Sequence, residues 1–586
     1  MKKQIYLSSA FAILFGLSVQ AQEKDKPKDS NMNTEEVRVV KSYEATVIDA
    51  FKIKDTPQIG DEDNEKQVIK YSIYSFPVAS TFAPEKGKAA TVDKDSLSSF
   101  FNNYALLGYG NFNTLQGQLG IAEKVSDDVY VAGFLNHISS QGGIAGVLVD
   151  DNYSKSNLDF NVGSRKTTND WNVNFGVSQQ NYNWYGLPTD VAIFAPAEYD
   201  GRDFGQKYND VHFGFNYNSN KGAFDGGSLK FKHFWDAFDS RENHFLINPK
   251  FNFVLEQSIV NLDVKADYVN TQFEDELISG IKTKSNSFIV GIEPNIRFIA
   301  DDYSVQLGFG FANISGESNG EKQDSFMVYP KVKANYDLVK DIVIAYAGAE
   351  GGVYNNTYAN FVEENPFVSP DLRLLATKQN FNFYVGMKGK LYHNISYNIR
   401  ASYMTEDNKA MFVNNPKVPS FDLLNSQVYQ YGNSFGVTYD TAETFNTYGE
   451  LNLNFSDDVT IDLSGEFNSY SAKNGPVFNL PETKLAAKLK VDFTDQWFGG
   501  LDMYFVGQRN DMGYVNDGTG VLERKLVKVD SFADLNLNVG YKATDKWTIF
   551  AKGNNLFNQS YQSWSNYKVQ GTQVLVGAMY KFNFKN

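Results

Sequence analysis

The sequence predicts an all-β fold: a transmembrane antiparallel β-barrel of about 22 strands, behind a short N-terminal plug-like or extended region. Three observations predict it. From Tyr104 to Phe584 the chain alternates apolar and polar residues, as in Asn157-Leu158-Asp159-Phe160-Asn161-Val162-Gly163, Leu451-Asn452-Leu453-Asn454-Phe455 and Leu535-Asn536-Leu537-Asn538-Val539. Period 2 puts one class of side chain on each face of a strand. The runs are joined alternately by short turns and long polar loops, the asymmetry of a bacterial outer-membrane barrel. Aromatics are 15% of the chain, with 47 Phe and 35 Tyr, which suits girdles at two lipid–water interfaces.

Taken in order, the chain opens as a secreted protein. Met1-Lys2-Lys3 precedes an apolar run, Ile5 to Val19, which ends at Val19-Gln20-Ala21. A basic start, a short apolar core and a small residue before the cut make residues 1–21 a signal peptide. Residues 22–103 form a flexible tail and a reduced plug-like region. Gln22 to Thr34 is a charged tail. Asp61-Glu62-Asp63-Asn64-Glu65 reads as a solvated linker. Val47 to Ile53 and Val68 to Phe82 supply one or two short strands, with Pro77 and Pro84 limiting regular pairing.

The barrel occupies residues 104–584. Short turns fall at Glu123-Ser126, Lys166-Asp170, Leu255-Ser258, Ala300-Asp302, Leu338-Asp341, Tyr392-Asn394, Ser456-Asp458, Thr494-Gln496 and Thr544-Lys546. Long loops run over 184–206, 355–377, 508–530 and 558–570. Val428 to Tyr439 reads as a strand but breaks this rhythm, which returns if 407–443 is one long loop holding its own hairpin. An even count brings both termini to the short-turn, periplasmic side.

Composition narrows the function. The chain has no cysteine, so it has no disulfide framework, thiolate metal site or lipoprotein anchor. A net charge of -15 without a basic stripe disfavours nucleic acid, and none is expected as a partner. The five histidines, His137, His212, His233, His244 and His393, are dispersed over the pattern. A catalytic base needs a nucleophile within reach and an orienting acid. His137-Ile138-Ser139-Ser140 is better read as polar strand residues, and His233, Asp236, Asp239 and His244 as a polar rim rather than a metal site. No enzyme, cofactor or metal is expected. Asn181 to Pro188, which leads into a long loop, is aromatic enough to stack a ligand, but its position favours the girdle.

In the last strand Val574, Val576, Ala578, Tyr580, Phe582 and Phe584 share one face, with no charge among them. Leu575 and Met579 are apolar exceptions on the other. Here the sequence resembles the TonB-dependent receptor family. Asn554-Asn555-Leu556-Phe557-Asn558-Gln559-Ser560-Tyr561, with Gly571 and the run to Tyr580-Lys581-Phe582, is similar to that family's two final strands, with Thr572 where an arginine is common. Gly108 to Thr114 is similar to its first barrel strand and tight first loop. The resemblance implies that Tyr580, Phe582 and Phe584 signal to the barrel assembly machinery. It also implies a TonB-box-like segment at Glu35-Glu36-Val37-Arg38-Val39-Val40, which would add a strand to TonB; the plainer reading is the first strand of a small N-terminal fold. The N-terminal region is shorter than the family's full plug, which puts coupling to TonB in question.

The expected function is that of an outer-membrane, TonB-dependent-receptor-like barrel binding or taking up a bulky solute. Its partners are the lipid bilayer, the assembly machinery, and TonB or other envelope proteins. Two alternatives stand beside it: a non-transporting scaffold or accessory subunit of an outer-membrane complex, and a passive pore. A barrel this wide needs something in its lumen, so the passive pore requires loops such as 407–443 to fold inward.

Overall fold

A computed structural model describes residues 102–584, apart from 193, 220, 256–257, 275–282, 341, 418–426 and 517–521. The expected signal peptide, nearly all of the plug-like region and the TonB-box-like segment Glu35–Val40 lie outside the described residues.

Twenty-two antiparallel strands make the wall. They are β1 (Asn103–Gly110), β2 (Leu115–Lys124), β3 (Val129–Ser140), β4 (Tyr153–Arg165), β5 (Asn169–Asn183), β6 (Gly205–Ser219), β7 (Phe224–Asp236) and β8 (Arg241–Leu255). Next come β9 (Ser258–Gln272), β10 (Lys284–Ile299), β11 (Tyr303–Ser318), β12 (Ser325–Val339), β13 (Val343–Tyr354), β14 (Thr377–Tyr392), β15 (Ile395–Asn414) and β16 (Phe435–Ser456). The last are β17 (Val459–Ala472), β18 (Thr483–Asp492), β19 (Trp497–Val506), β20 (Phe532–Lys542), β21 (Trp547–Asn554) and β22 (Gln573–Phe582). Each pairs with the next. The ring closes where β22 meets β1, with Ala105 opposite Tyr580 and Gly108 opposite Gly577. Closure leaves no sheet edge, which is the condition for strands to cross lipid.

The period-2 pattern becomes two faces. Leu158 stands opposite Val177, and Phe160 opposite Phe175. These side chains point outward with Phe213, Phe245 and Phe288 as part of a broad exposed apolar surface. The alternate residues point inward and bond to one another. Gln118 donates to Asn136 at 3.1 Å, and Asn136 to Asn157 at 3.2 Å. Lys331 pairs with Glu293 at 2.9 Å, and Lys333 with Glu350 at 3.1 Å. An apolar outer belt around a polar interior is the reverse of a soluble sandwich and is the membrane-spanning arrangement. The inward exceptions in β22 also find a place. Leu575 is buried against Leu106 and Phe550, with Met579 packed alongside.

Two features of the turn pattern differ from expectation. A short turn around Gly222, which takes φ +83°, separates β6 from β7. The polar segment Asn218 to Ala223 carries this turn, which the expected short turns did not include. Second, the expected loop 407–443 is shorter. Beyond a bulge between Glu406 and Lys409 the barrel strands resume pairing, Lys409 with Asp440 through Asn414 with Phe435. The hairpin expected within that loop is the top of β15 and β16, and only residues 415–434 are loop. The bulge shifts the register, so the alternation of Val428 to Tyr439 looked like a separate strand.

Candidate functional site

Both described termini of the barrel lie at the short-turn end, and eleven loops, L1 to L11 in chain order, lie at the other. Four of them build the site: L3 (184–204), L7 (355–376), L8 (415–434) and L11 (555–572). L3 and L8 are ten strands apart in the ring, so they rise from opposite walls. They nevertheless touch. Asn433 Nδ2 donates to the Trp184 carbonyl at 2.7 Å, Arg202 donates to the Tyr431 hydroxyl at 2.7 Å, and Lys417 pairs with Glu198 at 2.6 Å. Contacts between opposite walls must pass over the lumen, so the loops form a cap across the mouth.

The cap has its own apolar core, the largest among the described residues. It gathers Trp184, Leu187, Phe204, Tyr358, Phe361, Phe367, Val368, Tyr429, Phe435, Trp564 and Tyr567. Tyr567 of L11 stands at its centre with no exposed surface. It stacks on Phe367 of L7 with centroids 3.6 Å apart and meets Tyr185 of L3 edge-on at 4.9 Å. Its hydroxyl donates to the Asn433 carbonyl of L8. One side chain therefore joins four loops. Gly186 makes the approach possible, since a Cβ there would fall 2.4 Å from the Tyr567 ring.

L7 also folds inward along the wall. At its far end the Leu374 carbonyl accepts from Gln323 at 3.0 Å and Ser285 at 3.4 Å. At its near end the short helix Tyr358–Glu364 begins against β7 and β8. The fully buried Glu242 carboxylate accepts the Tyr358 N–H at 2.6 Å, the Ala359 N–H at 3.1 Å and the Thr271 hydroxyl at 2.8 Å. Asp236 accepts the Tyr358 hydroxyl at 2.8 Å and the backbone N–H groups of Phe238 and Ser240, each at 2.9 Å. The Tyr358 ring fits between Phe234 and Phe273, with centroids 5.3 and 5.0 Å away. Backbone bonds finish the seam: Ser369 N–H to the Phe435 carbonyl and Phe435 N–H to the Phe367 carbonyl, both 2.9 Å.

L10 (507–531) leans on this cap through a hairpin, Arg509–Asn516 paired with Leu522–Val529. Arg509 donates to the carbonyls of Ser563 and Gln562 in L11, at 2.8 and 2.9 Å. Asp511 accepts the Asn414 N–H at 2.9 Å. Burial raises the Asp511 carboxyl to about 6, although these N–H donors oppose the shift. Burial also disfavours charge on Glu198 in L3, but Lys417 and the Ala195 N–H together hold its carboxyl below the usual range.

The residues weighed from sequence are distributed over this frame. Asn181 to Pro188 is neither girdle nor open ligand platform, because Trp184 and Leu187 are buried in the cap core. His137 lies between the hydroxyls of Ser156 at 2.8 Å and Ser139 at 3.3 Å. His233 bonds Asn243, while Asp236 is committed to L7 and His244 to Asp267 at 2.9 Å. Among the described residues no group of three or more His, Asp or Glu is placed to hold a metal ion. Tyr580, Phe582 and Phe584 form one aromatic row, with centroids 5.9 and 5.6 Å apart. Glu242, Tyr358, Asn433 and Tyr567 were missed. Their one sequence signal is apolar and aromatic density inside long loops, which period 2 does not explain.

The motif Asn554 to Tyr561 has a physical basis. Asn555 and Asn558 adopt φ +48° and +52°. The Asn555 amide donates to the carbonyls of Gln559 at 2.8 Å and Gln570 at 2.9 Å. Tyr561 stacks on Phe532 at 3.9 Å and donates to Asp534 at 2.8 Å. Thr572, at the place where an arginine is common in the family the sequence resembles, donates its hydroxyl to the Asn555 carbonyl at 2.9 Å.

No protein-family model matches the chain, and no curated protein matches it in sequence. Solved structures do. The FrpB iron transporter from Neisseria meningitidis (F3-3 variant) superposes with a TM-score of 0.62 at 12% identity, over 83% of this chain and 82% of that one. The ferripyoverdine receptor of the outer membrane of Pseudomonas aeruginosa gives 0.59 at 13%, over 85% and 74%. The ferric-catecholate import receptor Fiu from E. coli gives 0.59 at 11%, over 82% and 82%. The chain thus has the barrel fold of these outer-membrane receptors, the fold that its terminal strands resemble.

Proposed function

We propose that the chain is an outer-membrane receptor barrel that binds a bulky solute at its long-loop face and takes it up through the lumen. The observation that carries this reading is the receptor-type barrel of 22 strands with a loop cap over one mouth. Solutes of the kind named for the neighbours, such as ferripyoverdine, are too large for a porin-like channel and suit a gated one. The short turns and the termini face the periplasm, and the cap faces outward. Energy for opening comes from TonB through the segment Glu35 to Val40. Deleting residues 22–40 tests the coupling. Loss of growth on the limiting nutrient, with the barrel still inserted, supports it; unchanged growth contradicts it.

A second reading, a scaffold or accessory subunit, draws on the cap itself, since a dry aromatic core bridging opposite walls suits a mouth that stays shut. Stable co-purification with other envelope proteins in mild detergent, combined with no uptake phenotype, favours the scaffold.

A further inference from the structure

We propose that the permeability barrier of this pore is the loop cap, with L7 as its stopper and Glu242 as the latch. A barrel of this strand number encloses a lumen too wide for wall side chains to fill. L7 lies across that opening at the loop end of the barrel and is held at both ends. Its far end is tied through the Leu374 carbonyl to Gln323 and Ser285. Its near end is tied through Glu242, where one buried carboxylate satisfies two successive backbone N–H groups and the Thr271 hydroxyl. The same contact seats the Tyr358 ring between Phe234 and Phe273. L3, L8 and L11 then close over L7 around Tyr567. Without the carboxylate, two amides of L7 lose their partners in a dry site. The cheapest relief is for the loop to lift away from β7 and β8, which breaches the cap.

Planar-bilayer recording of the full chain tests this, and it is separate from the uptake reading because it needs neither TonB nor the solute. Wild-type protein is expected to show no steady conductance. Glu242→Ala is expected to raise the open population roughly tenfold or more. Glu242→Gln, which keeps one acceptor oxygen, should open less often than Glu242→Ala. Heat-modifiable migration on gels establishes that each variant is a folded barrel. Tyr358→Ala, which removes the ring but leaves the carboxylate, should open the pore too and decides the matter if Glu242→Ala does not fold. Folded variants that stay as silent as wild type overturn the proposal, because the barrier then lies elsewhere. Steady conductance of the wild-type chain overturns it as well.

Discussion

A single hydroxyl separates the two contributions of Tyr567. Tyr567→Phe keeps the ring against Phe367 and removes only the bond to the Asn433 carbonyl, at a cost of about 1 kcal/mol. Tyr567→Ala empties the centre of the cap and costs about 3–5 kcal/mol. Limited proteolysis of the loops on intact barrels should rank them wild type, Tyr567→Phe, Tyr567→Ala in increasing sensitivity. Equal sensitivity of all three would show that the cap does not depend on this core. Asp511 gives the cap a pH dependence of known sign. Its folded carboxyl is raised to about 6 from an ordinary 3.8, so the docked hairpin holds the proton more tightly than a released one. Its docking is therefore strongest below the ordinary value and weakens as pH rises through about 4 to 6, by on the order of 2–3 kcal/mol in total. Protection of Arg509–Asn516 against hydrogen exchange, taken relative to the intrinsic rate at each pH, should rise on acidification, and Asp511→Asn should remove that rise. The sequence offered no way to single out either residue. An acid or an aromatic in a polar loop looks solvated until the loop that covers it is known.

At the scale of strands the sequence was far more legible, because period 2 is local. The outward row of β22 follows directly from it, and a charge there meets lipid. Val576→Lys, on the exposed face, is expected to destabilise the barrel by about 2–4 kcal/mol if it lies near the midplane. Thermal unfolding in detergent micelles or bilayers measures it; no change would place that face away from lipid. Phe582→Ala with Phe584→Ala removes the end of the aromatic row. Insertion, read as the heat-modifiable fraction in the membrane, should fall, and a normal fraction would count against an assembly role for Tyr580, Phe582 and Phe584. What misled the pattern was a change of register. The bulge at Glu406 and Lys409 detached the top of β15 and β16 from the rest of their strands.

At the scale of the molecule, strand number, closure and the asymmetry of the two ends were all readable, because each is a sum of local signals. The cap was not. Trp184 and Asn433 are 249 positions apart and Tyr185 and Lys568 are 383 apart, and no local rule links them. The sequence therefore calls for something in or over the lumen, and the structure shows which loops bridge the mouth. The account as a whole rests on a membrane-spanning barrel whose capped mouth faces outward. Because the chain has no cysteine, single introduced thiols test this directly in whole cells with a membrane-impermeant maleimide. Ala197→Cys, exposed in L3, should label in intact cells, and Asp127→Cys, exposed in the turn between β2 and β3, should label only after the outer membrane is opened. Labelling of Asp127→Cys in intact cells with Ala197→Cys silent would contradict it.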